Sequence, residues 1–190
     1  IMNYINNGSV MVNYSGHGSF STWGSWKGKI FFDNSQVNAL INTNKLPFVT
    51  SLNCMNGYFT GLKSQTSLAE VFQRPGSKGA IAILAASGWS YPAGQRVLIR
   101  NLYKTIFEKN QFYLGAATTA AKINTYTTFS SLKELVEMFI LFGDPLTQLG
   151  VGSRLIILTP DGNEIIPSGT TIPIQWTPSR DMVNFTLDYS

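Results

Sequence analysis

Ser51-Leu52-Asn53-Cys54-Met55-Asn56-Gly57-Tyr58-Phe59 is the stretch whose reading decides the fold. It closes an apolar run that begins near Leu46 and ends at the only cysteine of the chain, followed by the Asn56-Gly57 turn signal. A second apolar run, Ser9 to Ser15, ends in the same way at Gly16-His17-Gly18, which holds the only histidine. Two short buried strands that each stop at a chemically reactive side chain are expected to lie side by side and parallel. Their ends then share the sheet edge where open α/β folds gather their ligands. A thiol and an imidazole placed there are a nucleophile and its base, because the thiolate is the attacking species and an ordinary thiol is mostly protonated at neutral pH. The interval between His17 and Cys54 has room for a loop, a helix and the second strand.

Taken one at a time, a lone Cys is by default a small buried apolar residue and a lone His a hydrogen-bonded structural one. It is their shared position, just past apolar strands and among Gly and Asn, taken with the family motifs in which both lie, that favours catalysis.

The alternation continues on both sides. Asn34 or Ser35 is read as the cap of a helix to about Thr43, with Val37, Leu40 and Ile41 on one face and Pro47 beyond it. Ser67-Leu68-Ala69-Glu70 fits a capping box, opening a helix to about Arg74. Gly79 to Ala86 is apolar throughout, as a strand covered on both faces would be. Three further helices are expected: Gln95 to Asn110, Leu114 to about Thr125, and one from the capping box Ser131-Leu132-Lys133-Glu134 to about Phe142. Strands alternating with helices imply right-handed crossovers and a mainly parallel sheet with helices on both faces. Ser87, Gly88 and Trp89 follow the third strand on the same expected edge and are candidates to line a substrate pocket. Gly143-Asp144-Pro145 is read as a turn, and Asp144 is left out of the site.

The pattern changes after residue 150. Leu155 to Thr159, Thr171 to Trp176 and Asn184 to Tyr189 read as short strands with turns between them, the start of an immunoglobulin-like or fibronectin-like β-sandwich over 151–190 that is too short to be complete.

Composition narrows the function. Of 190 residues, 44% are hydrophobic and only 13% charged, so a packed core is available and Ser, Thr and Asn furnish much of the polar surface, which suits an extracellular or cell-surface protein. The net charge of +4 is scattered over the chain without a basic run, which argues against nucleic acid as a partner. A single Cys and a single His do not make a zinc site by themselves, and nothing in the sequence calls for a redox cofactor. No apolar run reaches the roughly 18 residues of a membrane helix, and the first residues do not resemble a signal peptide, so the sequence is read as a processed chain or a fragment.

The segments Asn13-Tyr14-Ser15-Gly16-His17-Gly18-Ser19, Leu52-Asn53-Cys54-Met55-Asn56-Gly57, Ser67-Leu68-Ala69-Glu70, Gly79 to Leu84 and Leu141-Phe142-Gly143-Asp144-Pro145 occur in this order. In them the chain resembles the gingipain-type cysteine peptidases of the family C25 kind, relatives of the caspases, from about residue 2 to about residue 148. The resemblance implies a caspase-like α/β domain over 1–150 of which this is the later part, the missing preceding part being its expected partner alongside a protein or peptide substrate. It implies that His17 and Cys54 are catalytic and that the amides of Gly18 and Cys54 form an oxyanion hole. The function so implied is a secreted cysteine endopeptidase working through a thioester. Two alternatives stay open on the residues alone: a surface or adhesion protein with an inactive peptidase-like scaffold, and a transpeptidase or ligase using the same dyad.

Overall fold

A computed structural model describes residues 1–60, 66–74, 76–150, 156–159, 167–170, 173 and 175–177. The chain divides into two units, Ile1–Leu149 and Gly150–Ser190. In the first unit α1 (Met2–Asn7) precedes β1 (Met11–Ser15), a small hairpin of β2 (Ser25–Trp26) and β3 (Lys29–Ile30), α2 (Asn34–Asn38), β4 (Phe48–Leu52), α3 (Leu68–Gln73), β5 (Ala82–Ala86), α4 (Pro92–Tyr103), α5 (Leu114–Thr128), α6 (Lys133–Met138) and β6 (Phe139–Gly143).

The main sheet has the order β1-β4-β5-β6. The first three strands are parallel, with Ser15 opposite Leu52 and Ser51 opposite Ala85, and β6 is antiparallel to β5. Every residue of β4 and β5 is buried, as their uninterrupted apolar runs require of strands covered on both faces. Val49, Ile83 and Ala85 join one core with Ile5 of α1, Val37 of α2, and Leu68, Val71 and Phe72 of α3. The alternate residues Phe48, Thr50, Leu52 and Leu84 face the other way by the two-residue period of a strand. There α4, α5 and α6 bury Leu98, Leu102, Ala117, Ala121 and Leu135. Each fully buried Leu, Ile or Phe contributes about 1.5–3 kcal/mol.

Local chemistry accounts for the element ends. Ser67 and Glu70 form the capping box, with Ser67 N–H donating to Glu70 Oε2 at 2.9 Å and Glu70 N–H to Ser67 Oγ at 3.3 Å. The cap of α2 is Asp33 and not Asn34 or Ser35. Its Oδ1 accepts from Gln36 N–H at 3.0 Å and from Ser35 Oγ at 2.6 Å, and these bonds to the ionised form hold the carboxyl below its ordinary value. The β2–β3 turn places Lys27 and Gly28 at φ 49° and 77°, the left-handed pair that a two-residue hairpin needs.

Two expectations are corrected, the first being the extent of α2, which ends at Asn38 and not near Thr43. The helix foreseen from Ser131 to about Phe142 begins with a 3₁₀ turn at Ser130–Leu132 and stops at Met138, and Phe139–Gly143 is a strand. A short apolar run such as Phe139-Ile140-Leu141-Phe142 has no decisive period of its own. Pairing with the open edge of β5, Ala86 against Phe139 and Ala82 against Gly143, decides the matter. The chain also opens with a short helix before its first strand. In α4 the helix begins at Pro92, pre-set for a first helical position, and ends in a π-helical turn at Lys104–Glu108.

In the second unit β7 (Ile156–Thr159) pairs antiparallel with β8 (Gln175–Thr177). The third strand foreseen there, Asn184 to Tyr189, lies outside the described residues.

Candidate active site

The register of β1 on β4 brings the two single residues to one edge. Beyond the Ser15–Leu52 pair, Gly16 N–H still donates to Leu52 C=O at 3.2 Å, and the strands then part. His17 and Cys54 thus lie each two residues past paired strand ends, His17 exposed and Cys54 half-buried.

The loop after β4 is held tightly. Met55 adopts a left-handed conformation at φ 66°, uncommon for a residue with a side chain, and its N–H donates to Gly88 C=O at 3.1 Å. Gly57 N–H donates to Ala86 C=O at 2.8 Å. Both contacts come from the end of β5, so the turn carrying Cys54 is strapped to the neighbouring strand.

Asn53 and Asn56 are buried, and they are satisfied by each other and by the loop after β1. Asn56 Oδ1 accepts from Asn53 Nδ2 and, at 2.8 Å, from Ser51 Oγ. Asn56 Nδ2 donates to the carbonyls of Ser19 and Thr22. Ser51 Oγ in turn accepts from Trp23 Nε1 at 2.8 Å. Trp23 is packed among Phe32, Phe72 and Tyr14, the Tyr14 ring stacked on it at 4.6 Å. The Tyr14 hydroxyl donates to His17 C=O at 2.8 Å and accepts from Gly24 N–H at 2.9 Å. A buried polar network satisfied in this way fixes the two loops against each other.

Gly18 sits where a side chain has no room, since a Cβ there would collide with the Asn53 amide. Among the described residues neither Gly18 N–H nor Cys54 N–H donates to another group.

The three residues after β5 divide in their surroundings. Ser87 Oγ donates to Met138 C=O at 3.1 Å, and a Cβ at Gly88 would fall 2.7 Å from Met138 Sδ, so these two pack toward α6. Trp89 is 72% exposed and takes no part in the core. The residue that reaches the thiol is the next one. Ser90 N–H donates to Cys54 Sγ at 3.5 Å, the Cys54 thiol to Ser90 C=O at 3.4 Å, and Ser90 Oγ to Asn53 C=O at 2.8 Å. Gln95, buried in the first turns of α4, donates from Nε2 to Ser90 Oγ at 2.6 Å. Sequence assigns no site role to Ser90, Gln95, Asn53, Asn56, Ser51 or Tyr14, although Ser51, Asn53, Asn56 and Tyr14 lie within the stretches that carry Cys54 and His17. Among the described residues no group of three His, Cys, Asp or Glu stands ready to hold a metal ion.

The model of a family described as Peptidase family C25 matches residues 1–150. Gingipain R2 of Porphyromonas gingivalis strain W83 is 33% identical over 171 aligned positions, covering 84% of this chain and 22% of that protein. Gingipain R1 of the same species is 27% identical over 201 aligned positions, covering 100% of this chain and 18% of its own length. The crystal structure of the Arg specific cysteine proteinase gingipain R superposes with a TM-score of 0.69 at 28% identity, covering 78% of this chain and 35% of the other. The chain therefore spans less than a quarter of the length of the curated relatives it matches. The fold of the first unit is the α/β, caspase-like fold of that structure.

Proposed function

We propose, from the premise that this chain belongs to peptidase family C25, that its first unit carries the nucleophile and base of a cysteine endopeptidase. Cys54 Sγ attacks the scissile carbonyl carbon as its proton passes to the His17 imidazole. Negative charge develops on the carbonyl oxygen and is met by the amides of Gly18 and Cys54. When the C–N bond breaks, His17 returns the proton to the departing amine and a thioester remains. Water then attacks that thioester, gives its proton to His17, and releases the acid as the thiol is restored.

The observation that carries this reading is the convergence of two strand ends: the only His and the only Cys emerge from adjacent parallel strands, beside two amides that donate to no other group among the described residues. The exposed Trp89 ring is read as a wall of the substrate cleft, held out by Ser87 and Gly88, whose own contacts run to α6 and to Met55. The substrate is read as a protein or peptide, and the low charged fraction of the chain supports an extracellular or surface setting. Among the described residues no helix is long and apolar enough to cross a membrane.

The test is a peptide-library cleavage profile of the full-length protein beside Cys54→Ala and His17→Ala. Cys54→Ala should lose cleavage and covalent labelling together while keeping its thermal midpoint, and His17→Ala should slow both hydrolysis and alkylation. Full cleavage by Cys54→Ala would sink the assignment.

A further inference from the structure

We infer that Ser90 is a positioning residue for the oxyanion site: its hydroxyl, oriented by Gln95, fixes the peptide plane between Asn53 and Cys54 so that the Cys54 N–H is held toward the substrate carbonyl. The inference rests on the reading of Cys54 as nucleophile and extends it to residues that no comparison with relatives assigns.

The geometry gives a directed chain of donors. Gln95 Nε2 donates to Ser90 Oγ at 2.6 Å, and Ser90 Oγ donates to Asn53 C=O at 2.8 Å. A hydroxyl has one proton, and an amide N–H directed at its oxygen leaves that proton for the Asn53 carbonyl. Both side chains are withdrawn from water, Ser90 at 7% and Gln95 at 3% exposure, so solvent does not compete for the bonds. In a trans peptide the C=O and the following N–H are coplanar and opposed. Pinning the Asn53 oxygen therefore pins the Cys54 hydrogen on the other side of the same plane. The pin is needed here because the next residue, Met55, is in the left-handed region at φ 66°, where the chain reverses and the regular strand bonds that would orient a peptide have ended.

Ser90 touches the site twice, by different means. Its main chain brackets Cys54 Sγ, with N–H and C=O at 3.5 and 3.4 Å, while its side chain governs the amide. Removing the hydroxyl leaves the main-chain contact with the thiol in place. The effect on charge developing on the substrate is thus separable from any effect on the nucleophile, and a hydroxyl that merely filled space would change neither.

The experiment uses the full-length protein with Ser90→Ala, Ser90→Thr and Gln95→Met. For each variant kcat and KM on a peptide substrate, the rate of Cys54 alkylation by iodoacetamide and the thermal midpoint are measured, with Cys54→Ala as reference. Ser90→Ala should lower kcat by ~10- to 100-fold, part of the ~100- to 1000-fold cost of losing an oxyanion donor outright, with KM and alkylation within about twofold of the parent. Ser90→Thr, which keeps the hydroxyl, should recover most of kcat, and Gln95→Met, which leaves the hydroxyl without its orienting donor, should fall between the two. A parental kcat in both Ser90→Ala and Gln95→Met would overturn the proposal while Cys54→Ala remains inactive, and so would alkylation falling in step with kcat. If Ser90→Ala does not fold, Ser90→Thr and Gln95→Met decide alone: parental kcat in Gln95→Met overturns the proposal, and an intermediate kcat with parental alkylation supports it. Cleavage by Cys54→Ala would instead remove the reading on which the proposal stands.

Discussion

The loop that follows β4 and the loop that follows β1 meet at the same sheet edge, yet they are supported in opposite ways. The first leaves a strand buried at every residue and enclosed by β1 and β5, and it is fastened by Met55 N–H to Gly88, Gly57 N–H to Ala86 and the Ser90 hydroxyl to Asn53. The second leaves an outer strand that is only partly covered, ends in an exposed His17, and is held by the Tyr14 hydroxyl and by the Asn56 amide reaching across to Ser19 and Thr22. A nucleophile must be fixed to fractions of an ångström against the amides that meet its product charge, whereas a base must trade protons with a leaving group and with water. On the proposed assignment the rigid support goes to the nucleophile Cys54, and the base His17 borrows its order from the loop of Cys54.

The sharpest way to break this comparison is Asn56→Leu. It removes the acceptor of the buried Asn53 amide, the better of two acceptors of the buried Ser51 hydroxyl and the tie to the Ser19 and Thr22 carbonyls, and should cost ~2–3 kcal/mol of stability, read from denaturant or thermal unfolding. Near-parental stability would show that the two loops are joined by something other than this side chain. Tyr14→Phe probes the base's side alone. The ring keeps its stack on Trp23 but gives up its bonds to His17 C=O and Gly24 N–H, so a loss of ~1 kcal/mol is expected with a several-fold lower kcat. An unchanged kcat would mean that His17 is ordered from elsewhere.

The smallest effect is expected at the α2 cap, which meets the loop after β1 only through main-chain contacts of Thr22 with Asp33 and of Ser21 with Asn34. Asp33→Ala removes the α2 cap and should cost ~0.5–1 kcal/mol at neutral pH, a modest figure because the carboxylate is largely solvated. The folded protein holds this carboxyl below its ordinary 3.8, so its contribution is complete above that pH and is lost as pH falls through the lower folded value. The stability gap between parent and variant should therefore narrow in acid; a gap that widened there would reverse the assigned sign.

Sequence shows those parts of the molecule that depend on local pattern. The continuous apolar runs of β4 and β5, the Ser67–Glu70 capping box and the abrupt stops at His17 and Cys54 are readable because period, cap chemistry and turn residues are properties of neighbours in the chain. β6 is not legible in the sequence because Phe139 to Phe142 fits a helix or a buried strand equally, and only the open edge of β5 chooses between them. Asn56 carries a turn signal with Gly57, which conceals its use as a buried tie. Ser90 and Gln95 gain their meaning from a carbonyl 37 residues before Ser90, a relation that no window of sequence contains.

Among the described residues the main sheet includes no hairpin: β1 meets β4, β4 meets β5 and β5 meets β6 only after a connection that contains at least one helix. Contacts so far apart along the chain are formed late, after the entropy of closing each loop has been met. The polar ties among Asn53, Asn56, Trp23 and Ser90 draw on residues from all three parallel strands or their flanking loops, and so must wait for the last of those closures. During refolding, the geometry proposed for catalysis should therefore follow the helices and apolar collapse, and peptide cleavage should return more slowly than the far-ultraviolet circular dichroism signal.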